Sequence, residues 1–306
     1  MENIYDIIIL GGGPAGYTAA LYSARAGFNT QVIEQMAAGG QMTLTGDIDN
    51  YPGFDQSVDG FTLGMKMQSG AERFGAKTEY AQVTGVDFSQ KIKKIETLSG
   101  EFFSRAVIIA TGANPRELGI EGESDLIGMG VHYCAHCDGR FYKDKIVAVI
   151  GGGNSAAADA LYLSRLAKKV YLVHRRDSLR ATKIYHEPLK NAPNVEFVWN
   201  SVVKEFDHNG SMEGVTVENV ITKEEAKIFC DGVFVSIGRK PATDFLIGHV
   251  ELDGNGYIIA NENCKTNVDG VFVAGDVRTK ELRQIITAAS DGAVAADTAE
   301  KYLTEN

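Results

Sequence analysis

Apolar residues come in short, dense blocks along this chain, and glycines punctuate them. Residues 4–10, Ile-Tyr-Asp-Ile-Ile-Ile-Leu, are rich in β-branched side chains and run straight into Gly11. Such a run predicts a strand buried on both faces, the habit of parallel sheets. An Ala-rich segment then predicts a helix to about Ala26, and Thr30–Glu34 predicts a second strand. Residues 61–74 have the spacing of an amphipathic helix. Residues 79–103 read as short strands with a Ser99-Gly100 turn, a β-meander, and residues 195–233 repeat that pattern. Gly39-Gly40-Gln41, the segment from Asp49 to Phe54, and Gly254-Asn255-Gly256 carry turn chemistry. A last short strand runs from Gly270 to Asp276, and an Ala-rich helix from Arg283 to Leu303.

Placed on these elements, Gly11, Gly13 and Gly16 form a G-x-G-x-x-G turn between strand and helix, with Pro14 and Ala15 inside it. Glu34 closes the second strand 23 residues after Gly11. Strand, glycine turn, helix, strand and terminal acid together are a dinucleotide fingerprint: the glycines admit a pyrophosphate to the helix N-terminus and the acid accepts from a ribose. The module returns at a fixed offset of 140 residues. Gly11, Gly13, Ala20, Leu21, Tyr22 and Arg25 recur as Gly151, Gly153, Ala160, Leu161, Tyr162 and Arg165, with Ala156 for the third glycine. The modules also end alike, on Ala110-Thr111-Gly112 with Pro115 and on Ser236-Ile237-Gly238 with Pro241. The expected fold class is α/β, with two Rossmann-like dinucleotide-binding domains of the three-layer ββα type. Because Gly238 closes the second module, the last strand and helix belong to the first. The second domain, 116–244, is therefore expected as an insertion in a first domain made of 1–115 and 245–306.

The copies differ where Glu34 is replaced by His174, followed by Arg175, Arg176 and Arg180. Residues 165–183 hold seven Lys or Arg and one acid, Asp177. Arginines at this strand end suit a 2′-phosphate, which an acid would repel. The second site is thus expected to take NADPH over NADH.

The 306 residues hold 30 basic and 40 acidic side chains, a net charge of −10, which argues against a nucleic-acid partner. No apolar run approaches the ~18 residues of a membrane span. The first residues carry acids and no basic n-region, unlike a signal peptide. A cytoplasmic location is expected. In that compartment two of the four cysteines, Cys134 and Cys137 in Cys-Ala-His-Cys-Asp-Gly, read as redox-active or metal-binding. Zinc with His132 or His136 is the metal alternative. It wants four ligands, and Cys230 and Cys264 are isolated, so no metal is expected. Those two are read as inert thiols, Cys230 within an apolar strand.

The motif order GGGPAG, GGQ, ATG, CxxCDG, GGGNSA, HRRDxxR, AGD and a later Arg-Gln pair resembles the bacterial-type, low-molecular-weight thioredoxin reductases along the whole chain. The resemblance implies FAD in the first domain: Gly11, Gly13, Pro14, Ala15 and Gly16 at the pyrophosphate, Glu34 and Gln35 at the adenosine ribose, and Gly40, Gln41, Asn50 and Val83 around the flavin. It adds Ala110, Thr111, Gly112, Gly275, Asp276, Arg283, Gln284 and Ile285 on the same side. For NADPH it implies Gly151, Gly153, Asn154, Ser155, Ala156, His174, Arg175, Arg176, Arg180, Ile237 and Gly238. NADPH would reduce FAD, and FAD the Cys134–Cys137 disulfide. Cys137 would be the sulfur near the flavin, Cys134 would attack the disulfide of thioredoxin or a thioredoxin-like protein, and Asp138 would be the general acid–base. A homodimer and a domain rotation that presents disulfide and nicotinamide in turn are also implied. Ala158 departs from the family's usual Glu, with Asp159 beside it, and His136 between the cysteines is a cation that favours thiolates when charged. The alternatives are a same-fold reductase with another donor, such as ferredoxin, or another small redox-protein acceptor, and a non-enzymatic NADPH sensor. A relative with an extra N-terminal redox domain is not expected, since the first strand opens at Ile4.

Overall fold

The computed structural model describes residues 4–44 and 47–305. The chain divides into two compact units, Met1–Asn114 with Lys240–Asn306, and Pro115–Arg239. The first stretch carries β1 (Ile4–Leu10), α1 (Pro14–Arg25), β2 (Thr30–Glu34), α2 (Gly60–Glu72), β3 (Lys77–Tyr80), β4 (Val83–Asp87), β5 (Lys93–Thr97), β6 (Gly100–Ile109) and β7 (Ala113–Pro115). Then follow β8 (Val131–His132), α3 (Ala135–Asp138), β9 (Ile146–Ile150), α4 (Asn154–Leu163), β10 (Lys169–Val173), α5 (His186–Asn191) and β11 (Val195–Val198). The chain continues through β12 (Ser201–His208), β13 (Met212–Asn219), β14 (Glu225–Phe229), β15 (Gly232–Val235) and β16 (Arg239–Pro241), and ends with β17 (Val271–Val273) and α6 (Ile285–Glu305).

In the first unit one seven-stranded sheet runs β3-β2-β1-β6-β5-β4, with β17 also paired to β6. β1 lies between parallel neighbours, Ile7 opposite both Thr30 and Ala106. The unbroken apolar run of β1 has a direct cause. Ile7 and Ile9 pack with the Ala-rich faces of α1 and α6, while Ile8 and Leu10 pack on the other side with Val86, Phe88 and Ile95. Side chains alternate across a strand, so a strand covered on both faces must be apolar at every position.

The second unit repeats this at the same offset. Val147 and Val149 pack with Ala156, Ala157, Ala160 and Leu163 of α4, and Ala148 and Ile150 pack with Val203, Phe206 and Val215. Its parallel sheet runs β11-β10-β9-β15-β8, and β12-β13-β14 form a separate antiparallel sheet. Three sequence expectations are corrected. Lys77–Tyr80 is not part of a meander but pairs parallel to β2, and Val195–Val198 pairs parallel to β10. In each case the chain reaches the strand by crossing over a helix, which returns it parallel to its neighbour. Cys230 is not inside a strand either: with Asp231 it breaks into β14 and β15 the path that the single β6 follows in the first unit.

One positional equivalence matters for chemistry. β8 lies beside β15 as β17 lies beside β6, although β8 comes early in its unit and β17 late. The residues after β8, which include both paired cysteines, therefore leave the carboxyl edge of a parallel sheet, where α/β folds bind ligands.

Candidate functional site

At the carboxyl edge of the first sheet Gly11 turns with a φ of 105°, and a Cβ there would lie 2.5 Å from the Ala110 carbonyl oxygen. A Cβ on Gly16 would overlap the Gly11 carbonyl. Gly13 precedes α1 and no side chain caps its first amides, which suits them to an anion. The Glu34 carboxylate accepts from the Gly12 N–H at 2.6 Å and the Met36 N–H at 3.0 Å. Those two bonds leave it lone pairs for a ribose. The Gly39 N–H donates to the Gly12 carbonyl at 2.8 Å, which sets Gly40 and Gln41 next to the turn. A Cβ on Gly275 would lie 2.8 Å from that of Ala15. This is a cradle that only backbone can line, as a pyrophosphate requires.

Further first-unit candidates gather nearby in the chain's hydrogen bonds. Asn50 donates to Gln284 at 3.0 Å across 234 positions, Gln41 donates to Asn114 at 2.7 Å, and Arg283 donates to the Asp276 carbonyl at 3.3 Å. The Arg283 guanidinium also lies 4.1 Å over the Tyr257 ring, just before Ile285 opens α6. Thr111 donates to the Ala242 carbonyl at 2.9 Å, and the Gly112 carbonyl accepts from Ala242. Val83 opens β4 opposite Thr97, and Gln35 is exposed after β2; no described bond ties either to the glycine turn.

In the second unit a Cβ on Gly151 would overlap the Ser236 carbonyl, and one on Gly152 would overlap the His174 ring. The Gly152 carbonyl accepts from the N–H groups of Arg180, at 2.7 Å, and Ala181, while Asn154 Oδ1 accepts from the Thr182 N–H at 2.8 Å. These bonds fold the arginine loop back over the glycine turn. Arg175, Arg176 and Arg180 are exposed, and no carboxylate pairs with them among the described residues. His174 is buried, and its Nε2 has no partner among the described residues. Burial lowers its imidazole from the usual range, and the charges of Arg180, Arg176 and Arg175 push the same way. Ser155 is exposed at the start of α4, Ala156 is buried under it, and Ile237 and Gly238 follow β15 at the same sheet edge. Three unpaired guanidinium groups around a capless helix start fit an anionic dinucleotide.

Cys134 and Cys137 form a disulfide across α3, with Cα atoms 5.3 Å apart. The Cys137 N–H donates to Cys134 Sγ at 3.2 Å. α3 rests on α4: His136 stacks on Tyr162 with ring centroids 4.3 Å apart, and a Cβ on Gly139 would lie 2.9 Å from Leu163. Asp138 Oδ2 lies 3.1 Å from His132 Nδ1, and His132 Nε2 lies 2.7 Å from the Tyr142 hydroxyl. His132 is thus engaged by oxygen partners, and among the described residues no group of three His, Cys, Asp or Glu is placed to hold a metal. Cys230 and Cys264 are buried, and burial pushes their thiols up to about 12 and about 11.

Two groupings escaped the sequence reading. Asp159 turns inward and accepts from Ser236 Oγ at 2.5 Å. Burial raises its carboxyl, against the opposing pull of Ser236, His136 and Arg239. The available signal was the Ala158-Asp159 departure itself. His132 and Tyr142 flank the cysteine motif at six residues before and four after Asp138. No regular spacing links them; only the tight turn through α3 brings them together.

The comparisons agree with this geometry. The model of the family described as pyridine nucleotide-disulphide oxidoreductase matches residues 5–292. A thioredoxin reductase of Peptoclostridium acidaminophilum is 45% identical over 100% of this chain and 99% of its own length. That of Bacillus subtilis (strain 168) is 45% identical over 99% of this chain and 96% of its own. The crystal structure of thioredoxin reductase from Streptococcus pyogenes MGAS5005 superposes with a TM-score of 0.92 at 43% identity, covering 100% of both chains. With a glycine turn at each sheet edge and a Cys-x-x-Cys disulfide on the second, the chain belongs to the pyridine nucleotide-disulphide oxidoreductases and, among them, to the thioredoxin reductases.

Proposed function

We propose that Cys134 and Cys137 are the sulfurs through which this chain reduces the disulfide of thioredoxin or a thioredoxin-like protein. The family depends on FAD and NADPH. In this reading the first unit is the FAD domain. The backbone of Gly11, Gly13 and Gly16 holds the pyrophosphate, Glu34 the ribose, Asp276 the ribityl chain, and Gln41, Asn50 and the Arg283–Ile285 segment the flavin. The second unit is the NADPH domain, with Gly151, Gly153 and Asn154–Ala156 at the pyrophosphate and Arg175, Arg176 and Arg180 on the 2′-phosphate. FAD, when bound, supplies the two-electron carrier between nicotinamide and disulfide.

This chain's own residues do the exchange. The Cys134 thiolate attacks one sulfur of the partner disulfide; a new S–S bond forms, and the partner's other sulfur leaves with the electron pair. Asp138 gives that departing sulfur a proton. Cys137 then loses its proton and attacks Cys134 Sγ; the Cys134–Cys137 bond is restored, and the partner's second sulfur leaves with the electron pair and takes that proton, so the partner departs as a dithiol. The reading rests on one observation: the disulfide lies against α4, the helix that opens on the second glycine turn. It also takes the protein to be a cytoplasmic homodimer with no nucleic-acid or membrane partner. In support, the net charge is −10, and no described helix is long and apolar enough to cross a membrane. Anaerobic titration tests the proposal. NADPH should bleach the flavin far better than NADH, and the wild type should take up two more electrons than Cys134→Ser. Equal uptake by the two proteins would remove the cysteines from the relay.

A further inference from the structure

The mechanism above leaves unused a buried histidine that touches its acid. His132 is 6% exposed and ends β8, with its backbone paired opposite Phe234. Its ring stacks on Phe234 at 5.2 Å and meets Tyr142 edge-on at 5.2 Å. The side chain therefore has one orientation. Nδ1 points at Asp138 Oδ2, 3.1 Å away, and Nε2 at the Tyr142 hydroxyl, 2.7 Å away. Asp138 is itself largely covered, with 16% of its side chain exposed.

We propose that His132 and Asp138 hold the exchange proton jointly, with His132 as the positioning residue that stores it and Tyr142 as the end stop of the chain. This rests on the reading of Asp138 as general acid–base. In the loaded state the pair holds one extra proton, shared between Asp138 Oδ2 and His132 Nδ1, while Nε2–H donates to the Tyr142 oxygen. When a partner sulfur departs with its electron pair, Asp138 gives up the proton. The spent pair is then a carboxylate facing an unprotonated Nδ1, with Nε2–H still donating to the Tyr142 oxygen. Two acceptors then face each other, an unsatisfied arrangement that draws a proton back to the pair. Proton return is from solvent, through the exposed part of Asp138.

The surroundings keep the end stop protonated. Burial pushes the Tyr142 phenol up to about 12, with added repulsion from Asp138, Asp231 and Cys230. Lys145 Nζ lies over the same ring at 5.4 Å, and Phe234 adds no charge. Outside the trio, Asp231, Cys230 and Lys145 are the titratable groups that bear on it among the described residues. Because the two groups exchange a proton across 3.1 Å, removing His132 changes the pH dependence of the step that Asp138 performs.

The test uses the full flavoprotein, pre-reduced, and follows its reoxidation by thioredoxin disulfide from pH 5 to 9. His132→Asn keeps a donor toward Asp138 but stores no proton. It should slow reoxidation about 10-fold near neutrality and move the limb of the pH–rate profile by about one unit. Flavin content and reduction by NADPH should be unchanged. Tyr142→Phe, which keeps the packing, should move the same limb by less. In an Asp138→Asn background, His132→Asn should add nothing, because it acts through Asp138. A uniform slowing at all pH values, or an undiminished effect in the Asp138→Asn background, would overturn the inference while leaving Asp138 in place. Full activity of Asp138→Asn alone would remove the acid–base reading and this inference together.

Discussion

The arginines after β10 allow the proposed NADPH site to be tested in numbers. Arg175, Arg176 and Arg180 are exposed and have no carboxylate partner among the described residues, so replacing them breaks no ion pair. Any loss must come from the ligand. An exposed charge pair is worth up to about 1 kcal/mol, so three guanidinium groups on one 2′-phosphate contribute about 3 kcal/mol together. At 1.4 kcal/mol per factor of ten, the triple Ala variant should lose about 100-fold in kcat/KM for NADPH. NADH lacks the phosphate, and its kcat/KM should change less than about 3-fold by the same argument. Among single variants Arg180→Ala should cost most, because its own N–H is bonded to the Gly152 carbonyl and holds its Cα at the turn. The assay is steady-state thioredoxin reduction with each nucleotide at several salt concentrations. Salt should weaken NADPH use by the wild type and leave the triple variant nearly flat. A parallel loss for both nucleotides would refute the reasoning and return the basic stretch to a solvated surface.

Other expectations follow from buried chemistry. Asp291 accepts two bonds from Arg278, one from Lys280 at 2.7 Å and one from the Gly275 N–H. Asp291→Ala strands two covered cations and should cost about 3–5 kcal/mol, a fall on the order of 10 °C in Tm by calorimetry. Burial pushes this carboxyl up, but Arg278 and Lys280 outweigh it and hold it below its ordinary value of 3.8. Its stabilisation is therefore complete above that value and lost as pH falls through the depressed one, and acid melts of Asp291→Asn should lack that loss. Gly11→Val sets a side chain against the Ala110 carbonyl at positive φ, and the purified protein should carry little flavin by absorbance. Cys230 and Cys264, with thiols pushed up to about 12 and about 11, should resist a thiol reagent at pH 7 until the protein is unfolded.

The sequence by itself determined the two sheets' central strands, both glycine turns, the duplication at an offset of 140 and a Cys134–Cys137 spacing able to close a disulfide. These were legible because each depends on local rules: β1 and β9 must be apolar on both faces, Gly11 and Gly151 cannot carry a Cβ, and two thiols three positions apart can close a ring. Tertiary structure alone decided what lies beyond that range. β3 and β11 joined the parallel sheets because a helix crossover, not their own pattern, sets their direction. Asn50 met Gln284 across 234 positions, and Asp159 met Ser236 across 77. Above all, His132 reached Asp138 because β8 ends beneath the turn that α3 makes. A hydrogen bond between side chains requires two chain segments at one place with one orientation, and no periodicity in the residues between them encodes that meeting.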